Sequence, residues 1–218
     1  MQTGFIFDLD GTLLDSLGDI ADAVNHTLGQ FGFPEQPESL IRAVTGNGAE
    51  MLIRGALPED TEETTVYAVL VAYKAYYDVH CRIKTKPYEG ILEELDKLKE
   101  KYPLAVVSNK PDSAVKPLCA DFFPGVYALG ESAAIPRKPA PDMIFHAMKE
   151  IGADRCVYVG DSQQDVIAAE NAGMPCLSVL WGFRTREQIE AAGGRYFCEK
   201  TQDMAQMLEK IAGEIYGK

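Results

Sequence analysis

The chain has 218 residues, 46% of them hydrophobic and 25% charged, inside the range of a soluble globular protein with a sizeable core. Acidic side chains outnumber basic ones by 33 to 21, for a net charge of −12, and without a basic patch a broad nucleic-acid-binding face is excluded. Five scattered cysteines predict reduced thiols, no run approaches the roughly 18 apolar residues of a membrane span, and the N-terminus does not read as a signal peptide, so the expected address is cytoplasmic.

In chain order, the first element is the apolar run Phe5-Ile6-Phe7, which stops abruptly at Asp8-Leu9-Asp10-Gly11 and predicts a buried strand followed by a turn. From about residue 15 to residue 86 the signals are helical only, which predicts an inserted helical unit. Ser16 and Asp19 have the spacing of a helix cap and its return partner, and Ile20, Val24, Thr27, Leu28 and Phe31 then share one face. Val66, Val69, Leu70, Tyr73, Tyr76 and Tyr77 form a second stripe, expected to be the packing face of the unit rather than a ligand site. Strand-like runs return at Leu104 to Val107, Cys156 to Val159 and Cys176 to Leu180. Between them lie helical patterns such as Met143, Ile144, Ala147, Met148 and Ile151, and a last helix carries Met204, Met207, Leu208, Ile211 and Ile215 on one face. Strand alternating with helix predicts an α/β fold, a parallel sheet covered on both faces.

Ligands of such sheets bind beyond the carboxyl ends of the strands. Four polar places qualify for attention: Asp8 to Thr12, Ser108-Asn109-Lys110, Lys138 before Pro139, and Gly160-Asp161-Ser162-Gln163-Gln164-Asp165. Asp8 and Asp10, two apart near a strand end, project to the same side. One carboxylate can attack phosphorus while its neighbour protonates the leaving oxygen and later activates water. An acidic turn or a calcium loop is the alternative, but glycine comes too early for the latter and its later ligands are missing. Asp161 and Asp165 would add two carboxylates where a phosphate has to sit, a conflict that a hard divalent cation, magnesium best of all, resolves; alternatively they only begin a helix. Ser108 and Asn109 offer neutral donors for phosphoryl oxygens, and Lys138 offers a positive charge. His26, His80 and His146 show no metal-ligand spacing. A nicotinamide enzyme is disfavoured because no G-x-G-x-x-G follows the first strand.

In this order the four motifs resemble the haloacid dehalogenase superfamily, specifically its phosphatases with a helical cap inserted just after the first motif. The resemblance covers nearly the whole chain. It implies a doubly wound, flavodoxin-like core of residues 1–14 and 87–218, with residues 15–86 as a helical cap that moves as a lid. It implies Asp8 as nucleophile, Asp10 as general acid and base, Lys138 holding the nucleophile and phosphoryl group, and Ser108 binding a phosphoryl oxygen, with Thr12 and Asn109 lining the site. Magnesium would be held by Asp8, the carbonyl of Asp10 and Asp161, with Asp165 in support. The substrate would be a small phosphorylated metabolite. Thr45-Gly46-Asn47-Gly48 and Trp181-Gly182-Phe183-Arg184 look most like phosphoglycolate phosphatases, with Asn47 and Arg54 as candidates for meeting the leaving group. Sugar phosphomutases and pyrophosphatases of the superfamily stay open, as does a catalytically idle protein that binds phosphate esters. A dehalogenase is disfavoured, since that branch lacks the second aspartate, present here as Asp10.

Overall fold

The apolar run that opens the chain is strand β1 (Thr3–Phe7), buried along its last four residues between two neighbouring strands. In the computed structural model, which describes residues 1–217, the chain turns after β1 into a short strand β2 (Leu14–Asp15) and four helices, α1 (Leu17–Gln30), α2 (Glu38–Val44), α3 (Ala49–Ala56) and α4 (Glu63–His80). It returns through β3 (Lys86–Pro87) to α5 (Ile91–Lys99), β4 (Leu104–Pro111), α6 (Asp112–Phe122), β5 (Tyr127–Glu131), α7 (Asp142–Glu150) and β6 (Arg155–Gly160). The remainder is α8 (Gln163–Asn171), β7 (Cys176–Val179), α9 (Arg186–Ala191), β8 (Tyr196–Cys198) and α10 (Met204–Tyr216).

Six strands form one sheet in the order β5-β4-β1-β6-β7-β8, every pair parallel. Because side chains alternate along a strand, Phe5 and Phe7 join Val106, Val157 and Val159 in one hydrophobic layer, while Ile6 joins Ala105, Val107 and Tyr158 in the other. Helices α5 and α10 pack together on the first face; α7 and α8 cover the second. After β1 the chain moves outward through β4 to β5, then crosses back to β6. The carboxyl ends of β4, β1 and β6 therefore lie side by side at the point where the winding reverses, the place such sheets reserve for ligands.

The helical unit is held by α1 against α4, with Ile20, Val24, Thr27 and Leu28 buried on one side and Val66, Val69, Tyr73 and Tyr77 on the other. Phe31 departs from the expected face: it is the C-cap of α1 and 39% exposed. Ile215 of α10 is likewise exposed, while Met204, Leu208 and Ile211 dock as expected. Two strands escape the sequence pattern, β5 and β8, because both are short and partly exposed edges of the sheet. The interval also begins and ends on strand, not helix: β2 and β3 pair antiparallel, Leu14 opposite Pro87 and Asp15 opposite Lys86.

Ser16 and Asp19 do not form the expected cap. No side chain caps the α1 N-terminus. Asp19 instead accepts the backbone N–H groups of Ile83, Lys84 and Thr85 at 3.0, 2.9 and 2.8 Å and the Thr85 hydroxyl at 2.7 Å, tying α1 to the returning chain. Among the described residues no helix is long and apolar enough to cross a membrane.

Candidate active site

Asp8 is the first residue beyond β1, and its N–H donates to the Val159 carbonyl at 2.8 Å, carrying the ladder one step past the strand. One of its carboxylate oxygens lies 2.8 Å from the Lys138 ammonium. That ammonium is buried and also meets Asp165 at 2.7 Å and the Tyr158 hydroxyl at 3.0 Å, so its three donors are all engaged. The second oxygen of Asp165 accepts from the Ser162 N–H at 3.1 Å and the Ser162 hydroxyl at 2.7 Å. Asp165 begins a helix, as one of the two sequence readings had it, through the capping box of α8, and it also anchors Lys138, which the sequence did not indicate.

Asp161 follows β6 and is held from the opposite side, where the Phe183 N–H donates to Oδ2 at 2.6 Å. The approach demands two glycines. A Cβ on Gly182 would stand 2.3 Å from that of Asp161, and one on Gly11, whose φ is +84°, would stand 2.4 Å from an Asp161 oxygen.

Asp10 is fixed separately. The Lys110 ammonium lies 2.7 and 2.9 Å from its two oxygens, and the Ser16 hydroxyl donates to Oδ1 at 2.5 Å. Ser16 is thus spent on this carboxylate rather than on a helix end. Lys110 was unassigned in the sequence reading although it stands two residues beyond Ser108; the period of a strand, which puts both on one side, was the available signal.

Burial pushes the Asp8 carboxyl up to about 7, with the Asp165 charge reinforcing the rise and Lys138 opposing it. Burial also holds Asp161 well above the usual carboxylate range, helped by Asp165 and Asp8. For Lys138 burial works downward, yet Asp165 and Asp8 outweigh it and raise the ammonium above its ordinary range. Three carboxyl groups thus share one buried ammonium, and ionising all of them calls for further positive charge. Carboxylate oxygens of Asp8, Asp161 and Asp165 lie within 4.8 Å of one another. Both Asp165 oxygens are already hydrogen-bonded, whereas Asp8 and Asp161 each keep one oxygen without a hydrogen bond from the described residues. A pair of free hard oxygens in a negatively charged, buried pocket fits a divalent cation such as magnesium.

Above these carboxylates a cavity of about 50 Å³ lies between the sheet end and the helical unit. Asp8, Asp10, Ser108, Asn109, Lys110 and Asp161 line it from the sheet side, and Thr45, Gly46, Tyr73 and Tyr77 from the helical side. Ser108 is buried with its hydroxyl turned to accept the Lys110 N–H at 3.2 Å, which leaves its own O–H free to donate. Asn109 is a strut. Its amide donates to the Lys138 carbonyl at 3.0 Å and the Gly46 carbonyl at 3.1 Å and accepts the Lys138 N–H at 2.9 Å, so its side-chain donors are not available to a phosphoryl oxygen. Thr12 is fully buried outside the cavity lining; its carbonyl accepts from the Trp181 indole at 3.0 Å and its hydroxyl has no partner.

Arg184, noted in the sequence only as part of the Trp181 to Arg184 motif, has a definite task. Its guanidinium donates to the carbonyls of Arg42, Ala43 and Thr45 at 2.7, 3.0 and 2.6 Å, satisfying acceptors that the end of α2 leaves without partners. Tyr73 and Tyr77, expected only to pack, also line the cavity; one helical stripe serves both purposes because it faces the sheet end as well as α1. Asn47 is absent from the lining, and Arg54 is engaged with Glu50 and Glu63 on the surface.

The model of the haloacid dehalogenase-like hydrolase family matches residues 5–179. A phosphoglycolate phosphatase of Haemophilus influenzae is 34% identical over 215 residues, 93% of this chain and 95% of that protein. Phosphoglycolate phosphatase 1 of Pseudomonas aeruginosa is 32% identical over 95% of this chain and 80% of its own. The crystal structure of a candidate phosphoglycolate phosphatase from Lactobacillus delbrueckii superposes with a TM-score of 0.88 at 35% identity, covering 94% of this chain and 97% of the other.

Proposed function

The chain belongs to the haloacid dehalogenase-like hydrolase family and is a phosphatase, and from that premise we propose that it hydrolyses 2-phosphoglycolate by double displacement on Asp8, with magnesium bound among the carboxylates. The observation that carries this reading is the division of labour between two carboxylates of the same loop. Asp8 is held by Lys138, and Asp10 is held apart from it by Lys110 and Ser16.

In the first step an Asp8 oxygen attacks phosphorus, and the bond from phosphorus to the leaving oxygen breaks. Protonated Asp10 donates its proton to that oxygen, so the alcohol leaves neutral. In the second step water attacks the phosphoaspartate, Asp10 takes the proton, and Asp8 is returned with release of inorganic phosphate. Lys138 keeps Asp8 in place and balances charge, while Ser108 donates to a phosphoryl oxygen. Asp8, the Asp10 carbonyl and Asp161 would hold magnesium, which neutralises phosphoryl charge when bound.

Residues 1–14 and 87–218 form the catalytic part in this reading, and residues 15–86 act as a cap that closes over the substrate and excludes water. The contacts of Asn109 and Arg184 with backbone carbonyls of the helical unit support it. The substrate is supported by the names of the relatives. Five buried, unpaired cysteines fit a reducing compartment such as the cytoplasm.

The deciding experiment is release of inorganic phosphate from 2-phosphoglycolate, hexose phosphates, nucleotides and pyrophosphate, with magnesium and with a chelator. Magnesium-dependent release concentrated on 2-phosphoglycolate is the expected result. Isomerisation of a hexose phosphate without net phosphate release would replace the reading with a mutase.

A further inference from the structure

Tyr77 belongs to α4, is 2% exposed, and lines the cavity above Asp8 and Asp10. Its phenol oxygen is closed off from solvent yet has no hydrogen-bond partner among the described residues. A buried hydroxyl left unpaired is disfavoured against a phenylalanine of the same shape. The described residues give this hydroxyl no partner, and the cavity that Tyr77 lines is a place from which one can come.

Beside it stands Lys110, whose ammonium lies 4.7 Å from the centre of the Tyr77 ring. An ammonium has three N–H donors, and the two oxygens of Asp10, at 2.7 and 2.9 Å, engage no more than two of them. Burial holds the Tyr77 phenol well above its ordinary range, so it remains an O–H donor. Apolar side chains also stand near these two groups. Tyr73 stacks on Tyr77 with ring centres 5.4 Å apart, and Ile20 and Leu52 line the same cavity.

Two donors with apolar side chains beside them suit a short carbon chain that ends in an anionic oxygen. The cavity volume is about 50 Å³, against roughly 10–15 Å³ needed for one water, which leaves room for a small leaving group. We propose that Tyr77 and Lys110 form the subsite that receives a carboxylate on the leaving group, with Tyr77 as a specificity-determining residue. This rests on the assignment of 2-phosphoglycolate above and names the side chains that read its non-reacting end.

The test is Tyr77→Phe in the full chain with magnesium. It compares kcat/KM for 2-phosphoglycolate with kcat/KM for ethyl phosphate, which lacks the carboxylate, and adds the thermal midpoint of the free protein. The expected result is a preference for 2-phosphoglycolate in the wild type that falls about tenfold or more in the variant, mostly through KM, with a midpoint that does not fall. A lowered midpoint with the preference intact would make the hydroxyl structural and overturn the proposal. Equal losses on both esters would also overturn it, because the residue would then act on the cap and not on the leaving group. A wild-type chain without preference for 2-phosphoglycolate would overturn the substrate assignment and this subsite with it, and that failure is visible before any substitution is made.

Discussion

Lys138, in the floor of the site, touches Asp8, Asp165 and Tyr158, whereas Tyr77, in the roof, makes no hydrogen bond with its hydroxyl. The same contrast runs through both regions. Side chain meets side chain in the floor: Asp165 with Ser162, Asp10 with Lys110 and Ser16. The roof is tied down instead through backbone carbonyls, those of Gly46, Arg42, Ala43 and Thr45, held by Asn109 and Arg184. A floor of this kind is preorganised and needs no rearrangement at the moment of reaction. Contacts to a few carbonyls at a helix end can be broken and remade as one body moves over another.

That comparison fails if damage to floor and roof has the same kinetic signature. The largest effect belongs to Asp8→Asn, which should lower kcat more than about a thousandfold with the fold intact by circular dichroism. Turnover close to wild type would remove Asp8 as the nucleophile. Next comes Lys110→Met, which leaves the Asp10 carboxylate to Ser16 alone and should cut kcat roughly a hundredfold on every ester tested, with a further rise in KM for 2-phosphoglycolate, whose carboxylate loses one of its two donors. An unchanged kcat would mean that Lys110 does not serve Asp10.

Arg184→Ala is expected to act differently, raising KM by roughly tenfold with a smaller change in kcat, and to speed proteolysis of the segment between residues 31 and 48. An unchanged KM would mean that the three carbonyl contacts do not hold the roof. The smallest effect is on stability. With Asp8 raised from 3.8 to about 7, the folded, metal-free chain keeps a proton that the unfolded chain releases. Its contribution is complete below the lower value and is lost as pH rises through the upper one. Thermal midpoints without metal should therefore drop by a few degrees between about pH 5 and about pH 8, and magnesium should reverse the drop. A midpoint that climbs over the same interval would contradict the assignment.

The floor was legible in the sequence because each of its pieces is local: an apolar strand run followed at once by Asp8, Ser108 or Asp161. Lys138 is the exception, in the loop before α7, and was found by its place in the order of motifs. What stayed hidden was pairing. Ser16 has the form of a helix cap, yet its hydroxyl meets a carboxylate that only the turn after β1 brings within reach. Lys110 and Asp10 are 100 residues apart, and Asp19 reaches a backbone 64 to 66 residues away. Asn109 has the chemistry of a phosphate donor, but tertiary contacts had already claimed its amide. Tyr73 and Tyr77 show the limit of periodicity, which gives a face without saying whether other side chains or a cavity lie across from it.

The antiparallel pairing of β2 with β3 sets the two cut ends of the core next to each other, Leu14 beside Pro87. Antiparallel strands can be joined by a turn of as few as two residues. The six-stranded sheet therefore has the connectivity of a protein in which this position is a simple hairpin, and the four helices are cargo hung from its tip. A shorter loop or a different helical insert can be spliced at the same seam without disturbing the register of any core strand. The Asp19 clamp to residues 83–85 would travel with the insert, since both of its halves lie on that side of the seam. The roof is thus an exchangeable part, and chimeras joined between Leu14 and Pro87 offer a route to new leaving-group preferences so long as the insert keeps a serine at the position of Ser16, whose hydroxyl holds Asp10.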